Sequence, residues 1–234
     1  LSNFKKNIPN FNDIKNSKDK KLSKIFNDQI SNFTKENDIK KTIKLLNNIE
    51  DSVSIKVQRQ YEENPYPRWD DIETRKSNYY ANVVQAEINP NTFTYEGKDT
   101  KILIAGCGTG RHAINTAMAS KSSMVTAIDL SADSLAYGIR KAKELGVSNI
   151  EWYQGDILDI EKLDYNFDYI ESSGVLHHMK DPAKGFNALK NQLKPNGLMK
   201  LGLYSSASKR RLETAKAFIK NNKIKKNKKD IGKL

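Results

Sequence analysis

Cysteine is nearly absent. The 234 residues hold one, Cys107, which excludes an internal disulfide and any zinc site built on paired thiolates. Histidine is scarce too, with His112 and the adjacent His177 and His178. The pair lacks the i, i+4 spacing of a helical metal site and a clear carboxylate partner, so no metal centre is expected. No stretch approaches the roughly 18 apolar residues of a membrane span. The first residues are rich in Lys and Asn, without the apolar segment of a secretory signal. A cytoplasmic protein is the simplest expectation. Leu1 is not methionine, so the sequence reads as a fragment or a processed chain.

Acidic charge is short in only one place. The net charge is +12. Residues 205–234 carry 11 basic and 2 acidic side chains, a net of +9, against +2 for residues 1–100 and +1 for residues 101–204. The excess is a tail and not a stripe on a domain. Lys outnumbers Arg 33 to 7, which an AT-rich coding sequence also produces. A solvated tail therefore outweighs attraction to a polyanion, and nucleic acid is disfavoured as a partner.

What is present has a clear order. Residues 1–60 read as a partly disordered helical leader, an independent module or a lid, with residues 1–17 poorly ordered. Its helices are expected over Asp19–Phe33, from Asp38 as N-cap through Ile49, and over Ser54–Glu63. Residues 61–100 hold an aromatic and proline-rich connector, YEENPYPRW, and a helix over 77–88. Prolines on either side of Tyr66 stiffen the backbone there, and its aromatics suit a core plug or a ligand wall equally.

From residue 101 strands and helices alternate. Strands are expected at 101–105, Ser123–Ile128 (ending in Asp129), Asn149–Gln154, Phe167–Glu171 and Leu198–Tyr204. Helices lie between them, at about 111–120, 131–145 and 182–192. This spacing implies an α/β fold, a parallel sheet with helices on both faces. A basic helix, about Ala207–Lys220, follows within the 205–234 tail.

The chemistry sits at the strand ends. Ile102-Leu103-Ile104-Ala105 runs into Gly106-Cys107-Gly108-Thr109-Gly110 and then a helix. Such a turn permits close approach to a ligand and aims a helix N-terminus at negative charge. A dinucleotide fingerprint would have glycine at 111. Arg111 stands there, which sets aside a nicotinamide oxidoreductase. Asp129, 23 residues after Gly106, can accept bonds from ribose hydroxyls. Asp156 can accept from an adenine amino group, with Ile157 beside the ring.

The set ILIAGCGTG, AIDLS, GDI, FDYIESSGVLHHM and LKPNGLMKLGLYS resembles the class I S-adenosylmethionine-dependent methyltransferases over about 101–204. The resemblance implies a Rossmann-like sheet and S-adenosylmethionine as cofactor. It places Gly106, Cys107, Gly108, Thr109, Gly110, Asp129, Leu130, Asp156, Ile157 and Ser173 around that cofactor. GVLHHMKDP is similar to the loop after the fourth strand in small-molecule methyltransferases of quinone biosynthesis. YEENPYPRW is similar to a segment of bacterial methyltransferases fused to tetratricopeptide repeats, which implies fusion to or association with helical repeats. Two departures accompany the match. Ile104 stands where many members carry an acid, and the final antiparallel hairpin of the family sheet is missing after the five parallel strands. A truncated chain, or an inserted helical region beginning at 205–234, accounts for the latter.

The expected activity is in-line methyl transfer to a small-molecule or protein acceptor. His177 and His178 are the candidate bases, needed only if the acceptor loses a proton, and Glu171 can touch the cofactor's amino group. Two other readings stand beside this one. A nucleic-acid methyltransferase is suggested by Asn64-Pro65-Tyr66, which is similar to a base-gripping loop but lacks its second proline and precedes the glycine turn. A non-catalytic binding or scaffold module is suggested by Ile104 and the missing strands.

Overall fold

Ile102, Leu103, Ile104 and Ala105 form a strand buried on both faces, and the sheet is built outward from it. The structure, a computed structural model, describes residues 19–26, 31–72, 99–120 and 122–222. In chain order its first elements are α1 (Lys20–Phe26), α2 (Asn32–Lys40), β1 (Lys44–Leu45) and α3 (Ser52–Glu63). Then come β2 (Lys101–Ala105), α4 (Arg111–Ala119), β3 (Met124–Asp129), α5 (Ala132–Glu144) and β4 (Ile150–Gln154). A 3-10 turn at Ile157–Lys162 leads to β5 (Phe167–Ser173), and another at Leu176–His178 leads to α6 (Pro182–Asn191), β6 (Leu193–Gly202) and α7 (Ser206–Asn221).

The sheet order is β1-β4-β3-β2-β5-β6, and every pairing among the described residues is parallel. Side chains alternate across it, as the two-residue strand period requires. Ile102 and Ile104 join Val125, Ala127 and Tyr169 against Ala113 and Ala117 of α4 and Leu135 of α5. Leu103 and Ala105 join Ile128 and Ile170 on the other face, against Ile157, Ile160, Leu176 and Leu189. Full burial of side chains such as Phe167 and Leu189 contributes about 1.5–3 kcal/mol each.

The five expected strands are present, and a sixth is added. Residues 44–45, placed in a helix by the sequence pattern, pair with β4 as Lys44↔Tyr153 and Leu45↔Gln154. The helix that should have run through them ends at Lys40, with Asp38 inside it and not at its cap. Thr42 explains the stop: its amide and hydroxyl both bond to the Ile39 carbonyl, closing the last turn ahead of β-branched Ile43. The expected turn at Lys194-Pro195-Asn196-Gly197 is a bulge inside β6, lying between the pairs Phe167↔Leu193 and Tyr169↔Leu198. The readings for residues 1–17 and 77–88 lie outside the described residues. No helix among the described residues is long and apolar enough to cross a membrane.

The leader is bonded onto the core through α5. Glu36, 6% exposed, accepts from the Arg140 Nε at 2.9 Å, and Arg140 also reaches Glu144 at 2.6 Å. Lys40 bonds Asp133 at 2.6 Å, and Asn47 bonds Asp159 at 2.9 Å. These links make residues 31–72 a fixed part of the molecule. Arg140→Ala strands the buried Glu36 charge with only the longer Arg68 contact at 3.3 Å. We expect it to lower unfolding free energy by about 3 kcal/mol in urea denaturation, the usual scale for a broken buried pair.

Candidate functional site

Between β2 and β5 the sheet order changes direction, β3 and β4 lying to one side and β5 and β6 to the other. Ligands of open α/β sheets bind outside the carboxyl ends of the strands at such a point. The glycine loop leaves β2 here. Gly106 N and Cys107 N both donate to the Ile128 carbonyl, at 2.8 and 3.0 Å, so the ladder with β3 continues into the loop. Gly106 takes a positive φ of 77°. A Cβ there would lie 2.2 Å from Val175 Cγ2, so the loop after β5 is packed directly on the turn. Gly110, also at φ 77°, caps α4, and a Cβ would meet Trp152 at 2.6 Å.

A cavity of about 410 Å³ opens over this loop. Its floor is Gly106, Cys107, Gly108 and Thr109. Asp129 and Leu130 after β3, Asp156 and Ile157 after β4, and Ser173 at the end of β5 form one side. Nine of the ten residues assigned to the cofactor thus share one wall. Gly110 does not reach it, because its α-carbon faces Trp152 and Gly138. The histidines separate as well. His178 lines the cavity, whereas His177 lies behind it with its ring 4.2 Å from those of both His178 and Tyr204. Among the described residues no three His, Cys, Asp or Glu side chains converge as a metal site would.

Asp129 is bonded both to the glycine loop and to the start of α5. Its Oδ2 accepts from Gly108 N at 2.7 Å and its Oδ1 from Ser131 N at 2.9 Å. Ser131 itself caps α5 by accepting from Ser134 N. A carboxylate has about four acceptor positions, so these bonds leave capacity for a hydroxyl donor. Burial pushes the Asp129 carboxyl above the ordinary aspartate range, against the pull of the Ser131, Gly108 and Leu130 amides. Burial, reinforced by Asp129, likewise holds the Cys107 thiol well up, so it is a neutral packing group. Asp156 caps the following 3-10 turn, accepting from Leu158 N at 3.0 Å through Oδ1. Two acids at successive strand ends, with an apolar side chain beside the second, fit a ribose and an adenine. The first turn of α4, which has no side-chain cap, fits a negatively charged group.

The opposite wall was only half expected, since the connector's aromatics suited a ligand wall or a core plug and α3 was assigned to no site. It comes from Val53, Ser54, Val57 and Tyr61 on α3, with Tyr66 and Pro67 of the connector. Asp51 starts α3 by accepting from Val53 N and Ser54 N, both at 2.9 Å. The connector divides the two roles open to its aromatics. Trp69 is a core plug, 6% exposed, edge-on to Tyr137 at 5.9 Å, with its indole donating to the Thr109 carbonyl at 3.3 Å. Tyr66 is a wall residue and 72% exposed. The Thr109 hydroxyl donates in return to the Pro67 carbonyl, so strap and glycine loop are bonded in both directions. The signal for α3 was its apolar spacing, Val53, Val57 and Tyr61, which reads equally well as core packing.

A family model described as a methyltransferase domain matches residues 96–232. An uncharacterised protein of Synechococcus is 36% identical over 123 residues, covering 51% of this chain and 30% of its own length. A ubiquinone biosynthesis O-methyltransferase of Paracidovorax citrulli is 31% identical over 120 residues, covering 51% of this chain and 47% of that protein. The chain thus spans less than half the length of either curated relative. Among solved structures, PKMT2 of Rickettsia typhi in complex with AdoHcy aligns with a TM-score of 0.41 at 29% identity, over 43% of this chain and 20% of that one.

The strap's two aromatics predict opposite behaviour. Trp69→Ala removes a buried ring and a bond to the glycine loop, and should cost about 3–5 kcal/mol of stability. Tyr66→Ala should shift it by no more than about 0.5 kcal/mol. Chemical denaturation of the two variants side by side checks this.

Proposed function

The chain belongs to the methyltransferase domain family, and we propose that it moves the methyl group of S-adenosylmethionine to a small-molecule or protein acceptor held above the glycine loop. The observation that carries this reading is the placement of Asp129 and Asp156 at successive strand ends in one cavity with that loop. Asp129 would hold the ribose hydroxyls, Asp156 with Ile157 the adenine, and the loop the methionine portion. When bound, this cofactor supplies an electrophilic methyl carbon on a good leaving group.

The work left to the chain is positioning, since in-line displacement depends on holding the reacting atoms close to a line. The wall facing the glycine loop is built for an apolar body. Val53, Val57 and Tyr61 of α3 line it together with Val175 and Met179 from the segment after β5. Burial, with Asp129 and Tyr204 nearby, raises the Tyr61 hydroxyl above its ordinary range, so it stays a neutral hydrogen-bonding group. A small-molecule acceptor with an apolar body suits this wall. The likeness to a ubiquinone biosynthesis O-methyltransferase supports it. Of the two candidate bases, His178 is the one at the cavity, and His177 packs against its ring from behind.

Calorimetric titration with S-adenosylhomocysteine tests the reading. The wild-type chain should give a saturable heat, and its absence would sink the proposal. Asp129→Ala should weaken binding more than about tenfold, by loss of bonds to a charged acceptor. Because burial raises the Asp129 carboxyl, it takes up its proton above the ordinary value of about 3.9. Affinity should therefore fall on acidification before that value is reached, and Asp129→Ala should lose this acid limb.

The base assignment has its own test. If the acceptor loses a proton, His178→Ala should lower kcat about a hundredfold with little change in cofactor affinity. His177→Ala should do much less. Equal effects of the two would remove the distinction.

A further inference from the structure

Ile104 stands where many members of the family that the sequence resembles carry an acid, and the structure puts a carboxylate one strand away. Ile104 on β2 pairs in register with Glu171 on β5. Partners in register project from the same face of the sheet, and neighbouring strands lie about 4.8 Å apart. Glu171 is 7% exposed, so its charge must be compensated. Its Oε2 lies 3.0 Å from His112 Nε2, and its Oε1 lies 3.6 Å from Lys200 Nζ. Lys200 reaches it because β6 pairs with β5 at that level, Glu171↔Lys200. Burial pushes the carboxyl up, but His112 and Lys200 more than offset this and hold it below the usual glutamate range.

His112 is the member of this cluster that meets the cavity. It sits in the first turn of α4, lines the cavity beside Arg111 and Ile104, and keeps 43% of its side chain exposed. A carboxylate on Nε2 fixes the proton there, so the imidazole is oriented by one nitrogen and the other is left to serve a second partner. The same device orients histidines in metal and catalytic sites.

We propose that His112, held by Glu171, recognises the charged amino-acid end of the cofactor, so that a carboxylate relayed from β5 stands in for the acid absent from position 104. The proposal rests on the S-adenosylmethionine reading above. His112 is the binding group, and Glu171 is a positioning residue that acts through it. With the proton held on Nε2, Nδ1 accepts from the ligand's ammonium, and the ligand's carboxylate belongs to the same end. The uncapped first turn of α4 adds backbone donors for that carboxylate.

Titration calorimetry on the full chain, with two ligands, tests this. S-Adenosylhomocysteine carries the amino-acid end, and 5′-methylthioadenosine keeps the nucleoside and sulfur without it. His112→Ala and Glu171→Gln should each weaken the first ligand about tenfold or more and the second by less than about twofold, the signature of one charged hydrogen bond lost. The double variant should be no weaker than His112→Ala alone, because Glu171 acts through the histidine. Equal losses for both ligands, no loss for either, or additive effects of the two substitutions would overturn the proposal. If Glu171→Gln does not fold, His112→Ala, at a half-exposed side chain, decides the matter by the same ligand comparison. Should the wild-type chain bind neither ligand, the cofactor reading falls and this one with it. Binding with no ligand-selective loss overturns this one alone.

Discussion

A single carbonyl, that of Ile128, ties the site to the sheet. Its oxygen accepts from Gly106 N and Cys107 N together, which uses both of its lone pairs. The ladder between β2 and β3 thereby extends past the end of β2 and holds the loop against the next strand. The following residue is Asp129, whose carboxylate bonds Gly108 N from the other side of the same turn. Loop shape and acid placement are therefore consequences of one strand register, Ala105↔Ile128. That register is strongly specified, because a slip of one residue would exchange the two apolar faces of strands buried on both sides.

The second wall depends on α5. Tyr137 stands at its centre, with the guanidinium carbons of Arg68 and Arg140 5.3 and 4.9 Å from its ring centre. Trp69 N donates to its hydroxyl at 3.0 Å, and that hydroxyl donates to the Trp69 carbonyl. Arg140 turns at the same time to Glu36 of the leader. One helix thus gathers α2 and the strap, and the strap is bonded to Thr109. A buried ion pair adds little net stability by itself. Its contribution here is to fix where the leader lies, and so where Tyr61 and Tyr66 face the glycine loop.

The core was legible in the sequence because its signals are local and strong. Strands buried on both faces give continuous apolar runs, and the helices expected at about 131–145 and 182–192 start where Ser131 and Asp181 cap them. The nine wall residues followed from the resemblance, with Asp129 and Asp156 also marked by their places at strand ends. What was not legible rests on pairing between distant segments. Lys44 and Leu45 form a two-residue edge strand whose only reason to be extended is the open side of β4. Gly110 was placed at the cofactor by the resemblance, but it does not line the cavity and Trp152 packs where its Cβ would lie. His177 and His178 are adjacent in sequence, yet only the second reaches the cavity. Glu171 and His112 lie 59 positions apart and meet only because α4 covers the face of β5 that carries Glu171.

The cavity's two walls obey different rules. The wall at the strand ends is made largely of backbone, glycine and short acids, and the sheet dictates its geometry. The facing wall is made of side chains from α3, the strap and the segment after β5, held through contacts made elsewhere. Substituting Val53, Val57 or Tyr61 changes the volume and polarity in front of the loop without touching the Ile128 carbonyl or either aspartate. Substituting Gly106 disturbs both walls at once, because Val175 of the facing wall packs on it. The two walls also meet where Thr109 is bonded to Pro67 and Trp69. A fold arranged in this way can keep one cofactor geometry while the leader redefines what is placed against it.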